Sequence, residues 1–167
     1  MKNLILIGMP ACGKSTVGVV LAKTLGMKFL DTDLLIQERE GALLQDLIDQ
    51  KGDDYFKKVE EYILRSVDTE NTVISTGGSA VYYPEAIKHF KKKGKIVYIK
   101  VPYDTIEQRL DNITTRGITM APGQTLRDLY EMRVPLYEIN ADVTVDTGGL
   151  TVEQTIERII ESTANNL

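Results

Sequence analysis

Residues 8–15, Gly8-Met9-Pro10-Ala11-Cys12-Gly13-Lys14-Ser15, fit the pattern G-x-x-x-x-G-K-[ST]. The apolar run Leu4 to Ile7 precedes them, and Val17, Val20, Leu21 and Leu25 follow at helical spacing, with Gly26 as the terminator. A glycine-rich turn between a buried strand and an amphipathic helix points its backbone N–H groups, and the helix N-terminus, at a bound anion. Lys14 then reaches the β- and γ-phosphates of a nucleotide, and Ser15 ligates Mg²⁺. Gly8, Ala11, Cys12, Gly13, Lys14, Ser15 and Thr16 are therefore the candidate Mg-ATP residues, with Lys14 also placed in catalysis. A glycine turn that happens to precede a lysine would explain the spacing alone, but not the strand and helix on either side. Cys12 allows two readings: a small loop residue, or a thiol made reactive by the helix N-terminus.

Further short β-rich runs recur at Phe29 to Asp31, Val73 to Ser75, Ile96 to Val101 and Val143 to Val145, with helix-compatible segments between them. Alternation of this kind predicts an α/β domain with a mainly parallel, five-stranded sheet, because parallel strands need crossover connections. Residues 34–67 are helical by pattern and longer than one crossover requires, so they predict an excursion that shapes an acceptor pocket. Residues 111–125 are rich in Thr, Gly, Asn and Pro and read as a lid. Helical spacing returns from Leu126 to Tyr137, after a partial capping pattern at Thr125 and Asp128. An amphipathic helix from about Val152 to Ile160 closes the chain. Lys91, Lys92 and Lys93 read as a solvated helix end. His89 reads as a surface residue without a partner.

A chain of 167 residues suits one domain. Its 43% hydrophobic and 26% charged residues match a globular protein. A net charge of −4 with interspersed signs argues against a nucleic-acid partner. The run Leu4 to Ile7 is too short for a bilayer, and a single cysteine suits a reducing compartment. The expectation is a cytoplasmic protein without a membrane partner, acting on small molecules as a monomer or weak oligomer.

Phe29-Leu30-Asp31-Thr32-Asp33 ends the second expected strand with two carboxylates, and open α/β sheets bind ligands beyond the C-terminal ends of their strands. One acid suits the water shell of Mg²⁺, and the other suits orienting an acceptor hydroxyl for in-line attack. The same pair equally suits the start of a helix, where aspartate is a common cap.

With these elements the chain resembles the shikimate kinase family, within the P-loop, nucleoside-monophosphate-kinase-like fold. The resemblance runs through the phosphate loop, Asp31-Thr32-Asp33, Gly52 with Phe56-Lys57 and Glu60, Ser75-Thr76-Gly77-Gly78, and Arg133-Val134-Pro135-Leu136-Tyr137. It implies a three-layer α/β/α sandwich and transfer of phosphate from ATP to shikimate, giving shikimate 3-phosphate and ADP. It places Asp31 near Mg²⁺ and Asp33 at the substrate hydroxyls as base. It places Gly77 and Gly78 against the substrate, Arg116 in the lid over ATP, and Arg109 beside the adenine. Arg133 becomes the clamp on a carboxylated acceptor, a task suited to a planar guanidinium fork.

Departures from the family pattern fall mainly on the acceptor side and the lid. Lys57 stands where arginine is usual, Ser79 where a third glycine is usual, and Gly117-Ile118-Thr119 where proline and leucines usually follow the lid arginine. Lys57 and Ser79 remain candidate substrate contacts. Ile139 and Asn140 also differ from the common glutamate and apolar pair. These changes motivate a second reading, a related kinase for another hydroxy acid, a gluconate-type sugar acid or a hydroxy amino acid such as homoserine. A third reading is a nucleotide-binding regulator without turnover, against which the intact Lys14, Ser15, Asp31, Asp33 and Arg116 argue.

Overall fold

The computed structural model of the chain describes residues 2–111 and 118–164. Its centre is β1, Asn3–Ile7, in which every residue is buried. Successive strand side chains point to opposite faces, so a strand buried throughout must be covered on both sides. β2 (Lys28–Asp31), β3 (Thr72–Ser75), β4 (Gly94–Lys100) and β5 (Val143–Asp146) complete the sheet. All pairings are parallel and the order is β2-β3-β1-β4-β5. β1 therefore lies between β3 and β4, with Ile5 in register with Ile74 on one side and Ile96 on the other. The chain leaves its C-terminal end at the point where the strand order reverses, where open parallel sheets hold ligands.

α1, Lys14–Leu25, follows the loop and stops at Gly26, whose left-handed φ of 68° lets its N–H reach the last carbonyls. Three helices then run between β2 and β3: α2 (Thr32–Glu40), α3 (Leu44–Lys51) and α4 (Asp53–Ser66). They enclose an apolar cluster of their own, Ile36, Leu47, Phe56, Val59 and Ile63, separate from the core around the sheet. Burying each such side chain contributes about 1.5–3 kcal/mol, which holds the three helices as a body beside the sheet.

After β3 comes a 3₁₀ turn, Ala80–Tyr82, then α5 (Pro84–Lys93), α6 (Tyr103–Asp111), α7 (Leu126–Asn140) and α8 (Val152–Thr163). Residues 118–125 form neither helix nor strand, and the rest of the expected lid, with Arg116 and Gly117, lies outside the described residues. Thr125 and Asp128 make a complete capping box at the start of α7. Lys91, Lys92 and Lys93 occupy the last turn of α5, as expected of a cationic helix end. His89 corrects the sequence reading: it is half-buried, and its Nε2 lies 2.6 Å from the Val67 carbonyl. A carbonyl only accepts, so Nε2 carries the proton and ties α5 to the end of α4.

Candidate functional site

A cleft of about 1180 Å³ opens over the C-terminal end of β1, large enough for two small ligands side by side. Its floor is the loop between β1 and α1. Lys14 is buried, and its Nζ donates to the carbonyls of Gly8 at 2.7 Å and Met9 at 2.9 Å, with Cys12 Sγ at 3.4 Å. Neutral carbonyls orient the ammonium without cancelling its charge, so an anion above the loop meets a fixed cation. Ala11 is held at a left-handed φ of 62°, a strained conformation for a residue with a Cβ. Its carbonyl accepts from Arg109 Nη1 at 2.9 Å, so α6 braces the loop from outside.

Gly8 lies beneath this floor and does not line the cleft. With φ at 151°, a Cβ there would sit 2.7 Å from the Ile99 carbonyl oxygen and 2.9 Å from Cys12 Sγ. Glycine at this position thus lets the loop press against β4. Cys12 is buried in the same packing.

Beside the loop, Ser15 Oγ donates to Asp31 Oδ2 at 2.8 Å, while Asp31 Oδ1 accepts from the backbone N–H of Asp33 at 2.9 Å. Asp31 is therefore the N-cap of α2 and the partner of Ser15 at once, so its two sequence readings are compatible. A hydroxyl and a carboxylate held together are hard oxygen donors. Mg²⁺ takes one or two such groups and completes its shell with water and phosphate oxygens, so the residues present fit this ion.

The opposite end of the cleft is assembled from distant segments. Asp33 from α2, Glu60 from α4, Gly77, Gly78 and Ser79 after β3, and Arg133 from α7 all line it. The two glycines allow this convergence. A Cβ on Gly77 would come within 2.8 Å of Asp33 Oδ1 and 3.1 Å of Glu60 Oε2; one on Gly78 would meet Pro10 and, at 2.9 Å, Arg133 Nη1.

Arg133 is 2% exposed and far from the solvated helix surface that its position on a helix allows. Its Nε donates to Tyr82 Oη at 3.2 Å, and its guanidinium lies 5.3 Å from the centre of the Tyr82 ring. Tyr137, one turn on, donates to the Gly78 carbonyl at 2.5 Å and stacks on Tyr98 at 5.0 Å, fixing the height of the helix over the glycines. Burial pushes the Glu60 carboxyl above its usual range; hydrogen bonds from Ser79 and Tyr83 and the charge of Arg133 pull the other way. The same burial, with the Glu60 charge beside it, raises the Tyr83 phenol and keeps it protonated as a donor.

Of the candidate residues, Ala11, Cys12, Gly13, Lys14, Ser15, Thr16, Asp33, Gly77, Gly78, Ser79, Arg109 and Arg133 line one cleft. Lys57 does not. It is exposed on α4, next to Phe56, whose ring fills the separate helical cluster. A long stem with a strongly hydrated ammonium places its charge in water rather than against that apolar body. Glu60 is the site residue that residue-by-residue reading leaves unassigned. Its signal was an acid on the apolar face of an amphipathic helix, between Phe56, Val59 and Ile63.

Comparison with known proteins supplies independent findings. The family model described as shikimate kinase matches residues 10–164. A shikimate kinase from Sulfurihydrogenibium sp. (strain YO3AOP1) is 36% identical over 161 residues, covering 96% of both chains. Among solved structures, shikimate kinase from Acinetobacter baumannii, in complex with shikimate, superposes with a TM-score of 0.86 at 31% identity, covering 100% of this chain and 96% of that one. The Aquifex aeolicus enzyme gives 0.85 at 33% identity, with 98% and 97% covered.

Proposed function

The chain belongs to the shikimate kinase family, and from that premise we propose that it transfers the γ-phosphoryl group of Mg-ATP to the 3-hydroxyl of shikimate. ATP and Mg²⁺ are the family's co-substrate and metal. The observation that carries the reading is that a phosphate loop and a buried arginine, with two carboxylates between them, line a single cleft.

The loop amides and Lys14 hold the polyphosphate, and Lys14 offsets the charge that gathers on the transferring group. Ser15 and Asp31 would hold Mg²⁺, which when bound neutralises phosphate charge. Arg133 grips the shikimate carboxylate through its guanidinium fork, with Gly78 giving it room. Asp33 accepts the proton of the attacking hydroxyl. A bond forms from that oxygen to the γ-phosphorus while the bridging bond to the β-phosphate breaks, leaving ADP and shikimate 3-phosphate. We assign Arg109 to the adenosine end and Arg116 to closure over ATP. The reading includes a cytoplasmic reaction on free metabolites. Among the described residues no helix is long and apolar enough to cross a membrane.

Purified protein with Mg-ATP and shikimate should yield a phosphorylated product with one equivalent of ADP. Turnover of gluconate or homoserine with none of shikimate would replace the proposed acceptor, and nucleotide binding with no turnover of any would remove the enzyme reading.

A further inference from the structure

Ser79 stands where the family pattern has a third glycine, and its side chain is engaged. Its Oγ donates to Glu60 Oε1 at 2.5 Å, and both residues are buried. The other carboxyl oxygen, Oε2, faces the Gly77 position that Asp33 Oδ1 also borders. Tyr83 donates to the same carboxyl, and Arg133 acts on it through its charge. Three neighbouring residues thus brace the acceptor end: Ser79 and Tyr83 on the acid, Tyr82 on the arginine. Lys57 gives no help here, being exposed.

A buried carboxylate without a full set of donors either protonates or rotates. If Glu60 did either, the charge that acts on Arg133 would change, and the carboxylate of an acceptor would meet a cleft of different charge. We propose that Ser79 is a positioning residue for acceptor binding: its hydroxyl fixes the Glu60 carboxylate, and through it Arg133, so that a carboxylated acceptor meets one defined charge arrangement. This deepens the shikimate reading and, for its kinetic part, rests on it. The groups that bear on Glu60 are Ser79, Tyr83 at the end of the 3₁₀ turn and Arg133 from α7, with Asp33 of α2 bordering the same Gly77 position; Asp46 and Asp49 of α3 line the cleft further along. Ser79, like Tyr83, supplies a neutral donor that adds no charge.

The test compares Ser79→Ala with the wild type and with Ser79→Thr, which keeps the hydroxyl. Ser79→Ala should raise KM for shikimate about five- to tenfold, as loss of a hydrogen bond to a charged group does. Its kcat and its KM for ATP should stay within about twofold of wild type. Acceptor binding weakens as pH falls through the Glu60 titration. Ser79 helps hold that titration down, so the acid limb of kcat/KM for shikimate should move to higher pH in Ser79→Ala and return in Ser79→Thr. A purely structural role would shift kcat and both KM values together, without moving the limb. Carboxyl-¹³C NMR of the wild type and Ser79→Ala follows Glu60 directly, whatever the acceptor. An upward move of its titration supports the proposal; an unmoved titration overturns it, as does an unchanged acceptor KM with an unmoved acid limb. Wild-type protein inactive on shikimate would refute the acceptor assignment, and the NMR titration would still decide whether Ser79 governs Glu60.

Discussion

The two ends of the cleft are built on different plans. At the nucleotide end, Ala11 to Thr16 are consecutive residues, and most of what they present is backbone, shaped by one turn and one helix start. At the acceptor end, Asp33, Glu60, Ser79 and Arg133 come from four separated segments, and what they present is side-chain charge. A local device keeps its geometry as long as its own short sequence is intact. A distributed device depends on every element that carries a piece of it. Substitutions should therefore separate binding of the two substrates cleanly.

The largest separation is expected from Asp33→Asn, which removes the proposed proton acceptor without altering the phosphate loop. Turnover should fall about 10²- to 10⁴-fold while Mg-ATP affinity by calorimetry stays near wild type. Near-normal turnover would move the base elsewhere. Arg133→Ala should come next, raising KM for shikimate by roughly 10- to 100-fold through loss of a charge-assisted pair, with KM for ATP little changed. Because it strands the buried Glu60 beside an emptied space, it should also lower thermal stability. Tyr82→Phe keeps the ring over the guanidinium but removes the oxygen that receives Nε. A rise of about two- to fivefold in acceptor KM is expected, and steady-state kinetics will show whether the hydroxyl or the ring does the holding. Lys57→Ala should have the smallest effect, under about twofold on either KM, since an exposed ammonium is screened by water and salt. A tenfold loss of acceptor affinity there would place Lys57 in the cleft and blur the contrast between the ends.

The same contrast explains what the sequence disclosed. Strands centred on Ile5, Ile74 and Ile99 were legible from apolar runs, and the order of strand and helix gave the parallel sheet. Boundaries were set by pairing: β4 begins at Gly94 rather than Ile96 because Gly94 and Lys95 align with Asn3 and Leu4 of the central strand. The phosphate loop was legible because spacing and flanking elements are local properties. Lys57 lies outside the cleft lining because position in a motif does not fix which way a side chain leaves a helix. Glu60 and Tyr82 went unassigned because their meaning arises only when α4, the 3₁₀ turn and α7 meet. His89 drew no partner from its neighbours for a similar reason, its acceptor being 22 residues away.

Both substrates must occupy the cleft together for the reaction to follow from this geometry. Calorimetric titration of shikimate into protein already saturated with a non-hydrolysable Mg-ATP analogue tests that most directly. One equivalent of shikimate should bind, with affinity equal to or tighter than in the absence of the analogue. Competition between the two ligands, or no binding of shikimate in either state, would contradict the account.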